Sequence, residues 1–351
     1  MDLKNDWRGK QVVVTGHTGF KGSWLTELLV TLGARVHGIS LTPHGNPNLF
    51  NDTKLMQSLD SHHIVDIRDY KTLERVMREI QPEFVFHFAA QSTVSKGYED
   101  PRQTFEINTS GTVNVLMASL SSDCLLGIFC ATTDKVYENL LNTAAKVESD
   151  SLGASDPYGA SKVAAEFAIQ SMRYLFEERD IKLCIGRAGN VIGGGDWGSN
   201  RLVPDTIKSV INGTVLHIRK PNSTRPWQHV LDCLFGYLLA SSQILKKEQS
   251  KTIEIYNFGP KTSFTVREVV TILAERIDFQ WQEKPDAAIG YEHALLSLNS
   301  QKAKLHLGWD CQFDGTAAIH ETANWYKDFI SGQNAQKLME VSIDRFLANV
   351  K

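Results

Sequence analysis

Two hydrophobic periods alternate along the first two-thirds of the chain. QVVVT (11–15) is a short β-branched apolar run; beyond it Trp24, Leu25, Leu28, Leu29 and Leu32 recur at helical spacing, with Gly33 as a stop. ARVHGIS (34–40) predicts a second strand and HHIVDI (62–67) a third. A helix around Leu73–Ile80 ends before Pro82, and FVFHFAA (84–90) is a fourth strand. Helical spacing resumes around Thr104–Leu120, and LLGIFCATT (125–133) predicts a fifth strand. A helix over Tyr158–Phe176 then leads into LCIGRAGNV (183–191). Strands alternating with helices imply right-handed crossovers and a doubly wound, Rossmann-like parallel α/β sheet. Strands one, four and five are almost continuously apolar, as burial on both faces requires. After Val191 the pattern changes to a glycine-rich loop, GGGDWGSNR, an irregular stretch holding Arg225-Pro226-Trp227, and shorter elements.

Composition narrows the partners. The 351 residues carry 37 basic and 40 acidic side chains, a formal net charge of −3 that argues against nucleic acid or an anionic membrane. No apolar run approaches the ~20 residues that span a bilayer, and Met1–Lys10 has no signal-peptide core. Cys124, Cys130, Cys184, Cys233 and Cys311 are scattered without a C-x-x-C pair, which reads as thiols in a reducing cytoplasm and not as a metal module.

The candidate chemistry sits where strands end. Gly16, Gly19 and Gly22, in GHTGFKG between strand one and its helix, allow a tight turn and close backbone approach to a pyrophosphate at a helix N-terminus. The spacing is G-x-x-G-x-x-G. The end of strand two, Gly38-Ile39-Ser40-Leu41-Thr42, holds neither an acid for a ribose 2′-hydroxyl nor a cation for a 2′-phosphate, so NAD is mildly preferred over NADP. Asp66, at the end of strand three, is a candidate adenine contact or a turn acid before Arg68. Tyr158 and Lys162 share one helical face, where a cation would lower the phenol towards working pH. Thr132-Thr133-Asp134-Lys135 closes strand five and places a hydroxyl, an acid and an amine at the ligand crevice. His62 and His63, neighbours on a strand, point to opposite faces and make a poor joint site; His87 reads as a satisfied core histidine.

GHTGFKGSW (16–24), FHFAAQ (86–91), TTDKVYEN (132–139), DPYGASK (156–162), RAGNVIGGGDW (187–197), RPWQHV (225–230) and NFGP (257–260) together resemble the extended short-chain dehydrogenase/reductase family. Within it the chain is similar to the nucleotide-sugar 4,6-dehydratases, above all those acting on CDP-glucose. TTDK and RPWQHV carry that narrowing, because dTDP-glucose enzymes have glutamate where this chain has Lys135.

The resemblance implies an NAD-binding domain over 1–191, including the Tyr-Lys helix. It implies a mainly substrate-binding region over 192–351, from which elements are free to return to the first domain. NAD would be held by Gly16, Thr18, Gly19, Phe20, Lys21, Gly22, Asp66, Ile67, Ala89, Ala90, Gln91, Tyr158 and Lys162. Tyr158 would take the proton of the sugar 4-hydroxyl, Thr133 would bond the 4-oxygen, Asp134 would protonate the departing 6-hydroxyl, and Lys135 stands at the position of the C5 base. Asn190, Arg201, Arg225 and His229 would lie near the nucleotide diphosphate, and Glu292 would also contact substrate. Two stretches depart from the family pattern: Tyr291-Glu292-His293 ahead of LNSQKA (298–303), and Leu140–Val147, which lacks the usual aromatic residues. Relatives pair through the helices around 104–120 and 158–176, so a homodimer or dimer of dimers is expected.

Overall fold

A computed structural model describes residues 2–138, 144–247, 253–284, 297–313 and 315–350. Its centre is a seven-stranded sheet built from β1 (Gln11–Thr15), β2 (Arg35–Ser40), β3 (Ser61–Ile64), β4 (Phe84–His87), β5 (Gly127–Thr133), β6 (Lys182–Ala188) and β7 (Glu254–Phe258). Their spatial order is 7-6-5-4-1-2-3, and every neighbouring pair is parallel. The chain reverses direction across the sheet between β1 and β4, which opens a crevice at the carboxyl ends of those strands.

Helices cover both faces. On one lie α1 (Phe20–Thr31) and, later in the chain, the C-terminal helices; Trp24, Leu28, Leu234, Tyr237 and Trp325 join one core there. On the other, α2 (Tyr70–Ile80), α3 (Gly111–Ser119) and α4 (Pro157–Ser171) bury Leu73, Val76, Val115, Leu116 and Ile169 against Val13, Val85, Ile128 and Ile185. β4 and β6 are buried along their whole lengths, which is why their sequences show no polar alternation.

The structure corrects three readings of the sequence. β3 ends at Ile64, so Asp66 and Ile67 follow the strand. The helix expected over Tyr158–Phe176 breaks after Ser171 and resumes as Arg173–Glu177. The elements after Val191 are not uniformly short: α5 (Val230–Leu245), α6 (Gly315–Ile330) and α7 (Ala335–Asn349) match the longest before them. In α5 every residue but Gln243 and Leu245 is buried. A helix covered on all sides has no polar face, and its period is therefore hidden. β7 follows α5 and pairs with β6, and Trp24 of α1 donates its indole N–H to Gly194 O at 2.9 Å.

Candidate active site

The glycine loop is forced by contact geometry. Gly16 has φ +78°, and a Cβ there would lie 2.7 Å from the Ala89 nitrogen. A Cβ on Gly22 would lie 2.1 Å from Gly16 O. Gly19 is the N-cap of α1 at φ −85°, with a less crowded Cβ position, 3.3 Å from the same oxygen. The first-turn amides of α1, on Phe20, Lys21 and Gly22, therefore begin beside a backbone that no side chain separates from a ligand. Such a cradle fits the pyrophosphate of a dinucleotide.

Around it, the Thr18 hydroxyl bonds Ser40 Oγ at 2.8 Å, placing two hydroxyls where other dinucleotide folds keep an acid. Phe20 turns towards Gly193, and the Lys21 ammonium lies 5.9 Å from the Tyr237 ring centroid. The Asp66 carboxylate grips Arg68, as a turn acid would, and Ile67 packs beneath Gly111. Ala89, Ala90 and Gln91 follow β4. Thr15 Oγ1 accepts from the amides of Phe88 and Ala89, while His87 joins Thr15 and Thr112 through its two ring nitrogens. Burial brings His87 down to about 3, with the Lys162 charge adding to the fall, so it is a neutral core histidine.

Two features went unread in the sequence. Inside the helical run 101–119, Glu106–Ser110 forms a π-turn. The turn aims buried Asn108 at the Gln91 backbone and at Ser161 Oγ of the Tyr-Lys helix. His17, within the glycine loop, reaches across Gly38 to bond His62 Nδ1 at 2.7 Å, while His63 turns to Ser61.

β5 delivers Thr132 and Thr133, and a single 3₁₀ turn over Asp134–Val136 follows. Thr133 Oγ1 donates to Asp134 Oδ1 at 3.0 Å and accepts from the Lys135 amide at 3.3 Å. Asp134 is 2 % exposed, and its Oδ2 has no hydrogen-bond partner among the described residues. That oxygen borders Gly189, where a Cβ would lie 3.2 Å away. Lys135 is half-buried.

Pro157 opens α4, Asp156 caps it, and Tyr158 and Lys162 are both buried on its inner face. Burial pushes the Tyr158 phenol up to about 12. The nearby Thr133 hydroxyl and the Arg201 charge oppose that rise, while Asp134 and Asp156 reinforce it. Burial and the charge of Lys21 bring the Lys162 ammonium down to about 8. Among the chain's own groups the phenol therefore stands above its ordinary value, and a cation opposing the rise is Arg201.

The substrate side gathers above this floor. Asn190, half-buried, pairs in register with Trp227 on a short parallel ladder, Asn190–Ile192 with Trp227–His229. Arg201 forks onto Asp196 at 3.0 and 3.1 Å and reaches Ser92 Oγ at 3.1 Å, bridging the glycine-rich loop to the segment after β4. Arg225 is buried and donates to Thr224 O. His229 caps α5, its Nδ1 accepting from the Leu231 amide, and its ring packs edge-on against Phe313; burial brings it down to about 3. It is thus held as a neutral ring at the start of α5, where the short strand Trp227–His229 ends. Glu292, with Tyr291 and His293, lies outside the described residues, as do Leu140–Thr143.

The profile of the GDP-mannose 4,6 dehydratase family matches residues 13–322. The chain belongs to that family. CDP-glucose 4,6-dehydratase of Salmonella typhimurium is 38% identical to this family member over 94% of each chain. Among solved structures, Thermus thermophilus UDP-glucose 4-epimerase in complex with NAD superposes with TM-score 0.76 at 26% identity, covering 90% of this chain and 98% of that one. A dTDP-glucose 4,6-dehydratase from Streptomyces venezuelae, solved with NAD, shares the fold at TM-score 0.76 and 23% identity, covering 93% and 99%.

Proposed function

We propose that the chain is an NAD-dependent nucleotide-sugar 4,6-dehydratase, a hydro-lyase that converts CDP-glucose to CDP-4-keto-6-deoxyglucose. The observation that carries the reading is the buried, half-unpartnered Asp134 next to Thr133 and Lys135, in electrostatic contact with Tyr158. Epimerisation at C4 needs a tyrosine base and NAD but has no use for a second acid and amine at that strand end. When bound, NAD would supply the hydride acceptor for sugar C4 and the hydride donor for C6. Gly16, Thr18, Gly19, Phe20, Lys21 and Gly22 would cradle its pyrophosphate, with Asp66, Ile67, Ala89, Ala90, Gln91 and Lys162 lining the remainder.

The chain's own groups manage the protons. Tyr158 removes the 4-hydroxyl proton as C4 is oxidised, and the Thr133 hydroxyl, whose one proton goes to Asp134 in the free chain, turns it to the resulting carbonyl oxygen. That carbonyl acidifies C5–H. Lys135, as the free amine, takes the C5 proton while Asp134, as the carboxylic acid, gives one to the departing 6-hydroxyl, so water leaves across C5–C6. Lys135 returns its proton to C5 as hydride arrives at C6, and exchange with solvent resets Tyr158 and Asp134. Arg201 and Arg225 offer forked, charge-assisted bonds to the diphosphate, flanked by Asn190.

The test is a panel of CDP-, dTDP-, UDP- and GDP-sugars incubated with purified protein and NAD. CDP-glucose is expected to yield a 4-keto-6-deoxy product, seen by alkali-induced absorbance, with no net reduction of NAD. A galacto-configured product that keeps its 6-hydroxyl would overturn the reading in favour of an epimerase.

The same proposal covers assembly and location. Phe105, Phe167, Tyr174 and Leu175 are exposed apolar residues on the helical stretches over 101–119 and 157–177, which supports a homodimer or dimer of dimers through those helices. Five unpaired cysteines support a reducing, cytoplasmic location.

A further inference from the structure

One turn beyond Lys162 on α4, Glu166 is fully buried, and it meets a buried arginine from the sheet. Glu166 Oε2 accepts from Arg187 Nη2 at 2.6 Å and Oε1 from Arg187 Nε at 3.0 Å; the two side chains are 0 % and 2 % exposed. Burying such a pair is costly unless its remaining donors and acceptors are satisfied. Here they are satisfied by residues on both sides of the Asp134–Lys135 turn. Thr132, just before the turn, donates its hydroxyl to Glu166 Oε1 at 2.7 Å. Tyr137, just after it, accepts from Arg187 Nη1 at 2.8 Å and donates to Asn257 Oδ1 at 2.7 Å.

The register explains why these groups converge. Thr132, Arg187 and Asn257 are paired neighbours on β5, β6 and β7, one row across three strands. Arg187 Nη1 also reaches Glu148 O at 3.1 Å, Asn257 Nδ2 donates to Lys146 O at 2.8 Å, and the Asn257 backbone N–H donates to Glu148 Oε1 at 2.8 Å. The turn itself is stitched outward by Gly153 N to Val136 O and Glu138 N to Ser151 O, both at 2.9 Å.

We propose that Glu166, Arg187 and Tyr137 are positioning residues that clamp the Asp134–Lys135 turn at both ends and so hold the acid and amine of the elimination step in register with Tyr158. The part concerning elimination rests on the functional reading above; the clamp itself does not. The ion pair acts on the turn through Thr132 and Tyr137, and the Glu166 charge also faces Lys162 one turn back on α4. Misplacement by about 1 Å costs up to ~10²-fold in rate. Loosening one end of the turn is therefore expected to slow elimination by about tenfold or more without altering substrate affinity.

Two variants test this, Glu166→Gln and the milder Tyr137→Phe, which keeps the ring and removes only the hydroxyl. Hydrogen exchange read over Lys135–Tyr137 should accelerate about tenfold or more in each, while β5 residues 127–131 keep wild-type protection. In kinetics on CDP-glucose, kcat should fall with KM unchanged, and in Tyr137→Phe, which leaves the Glu166 charge beside Lys162 in place, first-turnover reduction of bound NAD should proceed at the wild-type rate. Unchanged exchange at the turn, or exchange raised equally along all of β5, would overturn the clamp. So would a parallel loss of cofactor reduction and elimination in Tyr137→Phe. If Glu166→Gln does not fold, Tyr137→Phe alone decides. If the wild-type protein dehydrates none of the sugars tested, the functional reading fails, and the exchange data still decide the clamp.

Discussion

Tyr158 and Asp134 meet at one strand end yet serve different halves of the proposed reaction, so their substitutions should fail differently. Tyr158→Phe removes the proton acceptor before C4 is oxidised, and bound NAD should stay oxidised when substrate is added. Asp134→Asn keeps Thr133 and its neighbours, and should permit oxidation while slowing loss of the 6-hydroxyl. General acid catalysis contributes ~10²–10⁴-fold, and turnover should drop by about that factor with reduced cofactor accumulating on the enzyme. Single-turnover absorbance separates the two outcomes; a wild-type rate in Asp134→Asn would remove the carboxylate from the mechanism. The contrast arises from placement. Thr133 spans the two chemistries, facing the phenol while donating to Asp134.

At the scale of elements, the loop between β1 and α1 shows that equal spacing of glycines does not mean equal need. A methyl at Gly22 meets the Gly16 carbonyl oxygen at 2.1 Å, closer than any real contact, and neither partner is a flexible side chain. Gly22→Ala should therefore push α1 from the loop, lower stability by about 1–3 kcal/mol and abolish NAD binding. Gly19→Ala, at φ −85° with 3.3 Å of clearance, should cost well under half of that. Melting curves and NAD titration of the two variants check the ordering, and equal losses would mean that the loop opens independently of that contact. Of the three, Gly16 is thus required by its φ of +78° and its contact with the Ala89 backbone, and Gly22 by the packing of helix on loop.

At the scale of the whole molecule, exposed aromatic residues concentrate on one side. Phe167 and Tyr174 are 56% and 61% exposed, with Leu175 and Phe105 beside them in the same helical stretches. Large exposed apolar side chains are what the proposed dimer interface would cover. Phe167→Arg should convert the assembled protein to monomer in light scattering at micromolar concentration, leaving the melting of the monomer's own core nearly unchanged. A wild-type protein already monomeric at that concentration would refute the dimer.

What could be read from the chain alone is what local physics governs. Strand and helix order follow from short continuous apolar runs set against the 3.6-residue period, the glycine loop from backbone sterics, and Tyr158, Lys162 and the Thr133–Lys135 triplet from positions near element ends, where residues close in sequence act together. The tertiary structure decided whatever depends on distant partners. Arg187 in a buried strand is explained only by Glu166, which packs there from α4. Asn108 reaches Gln91 and Ser161 only because a π-turn rotates its helix. His229 became a helix cap, and Arg201 the cation opposing the burial of Tyr158. Fully buried α5 left no polar face to read. Periodicity records which face of an element is dry, whereas the partner that satisfies a buried charge lies elsewhere in the chain, and only the packed fold brings the two together.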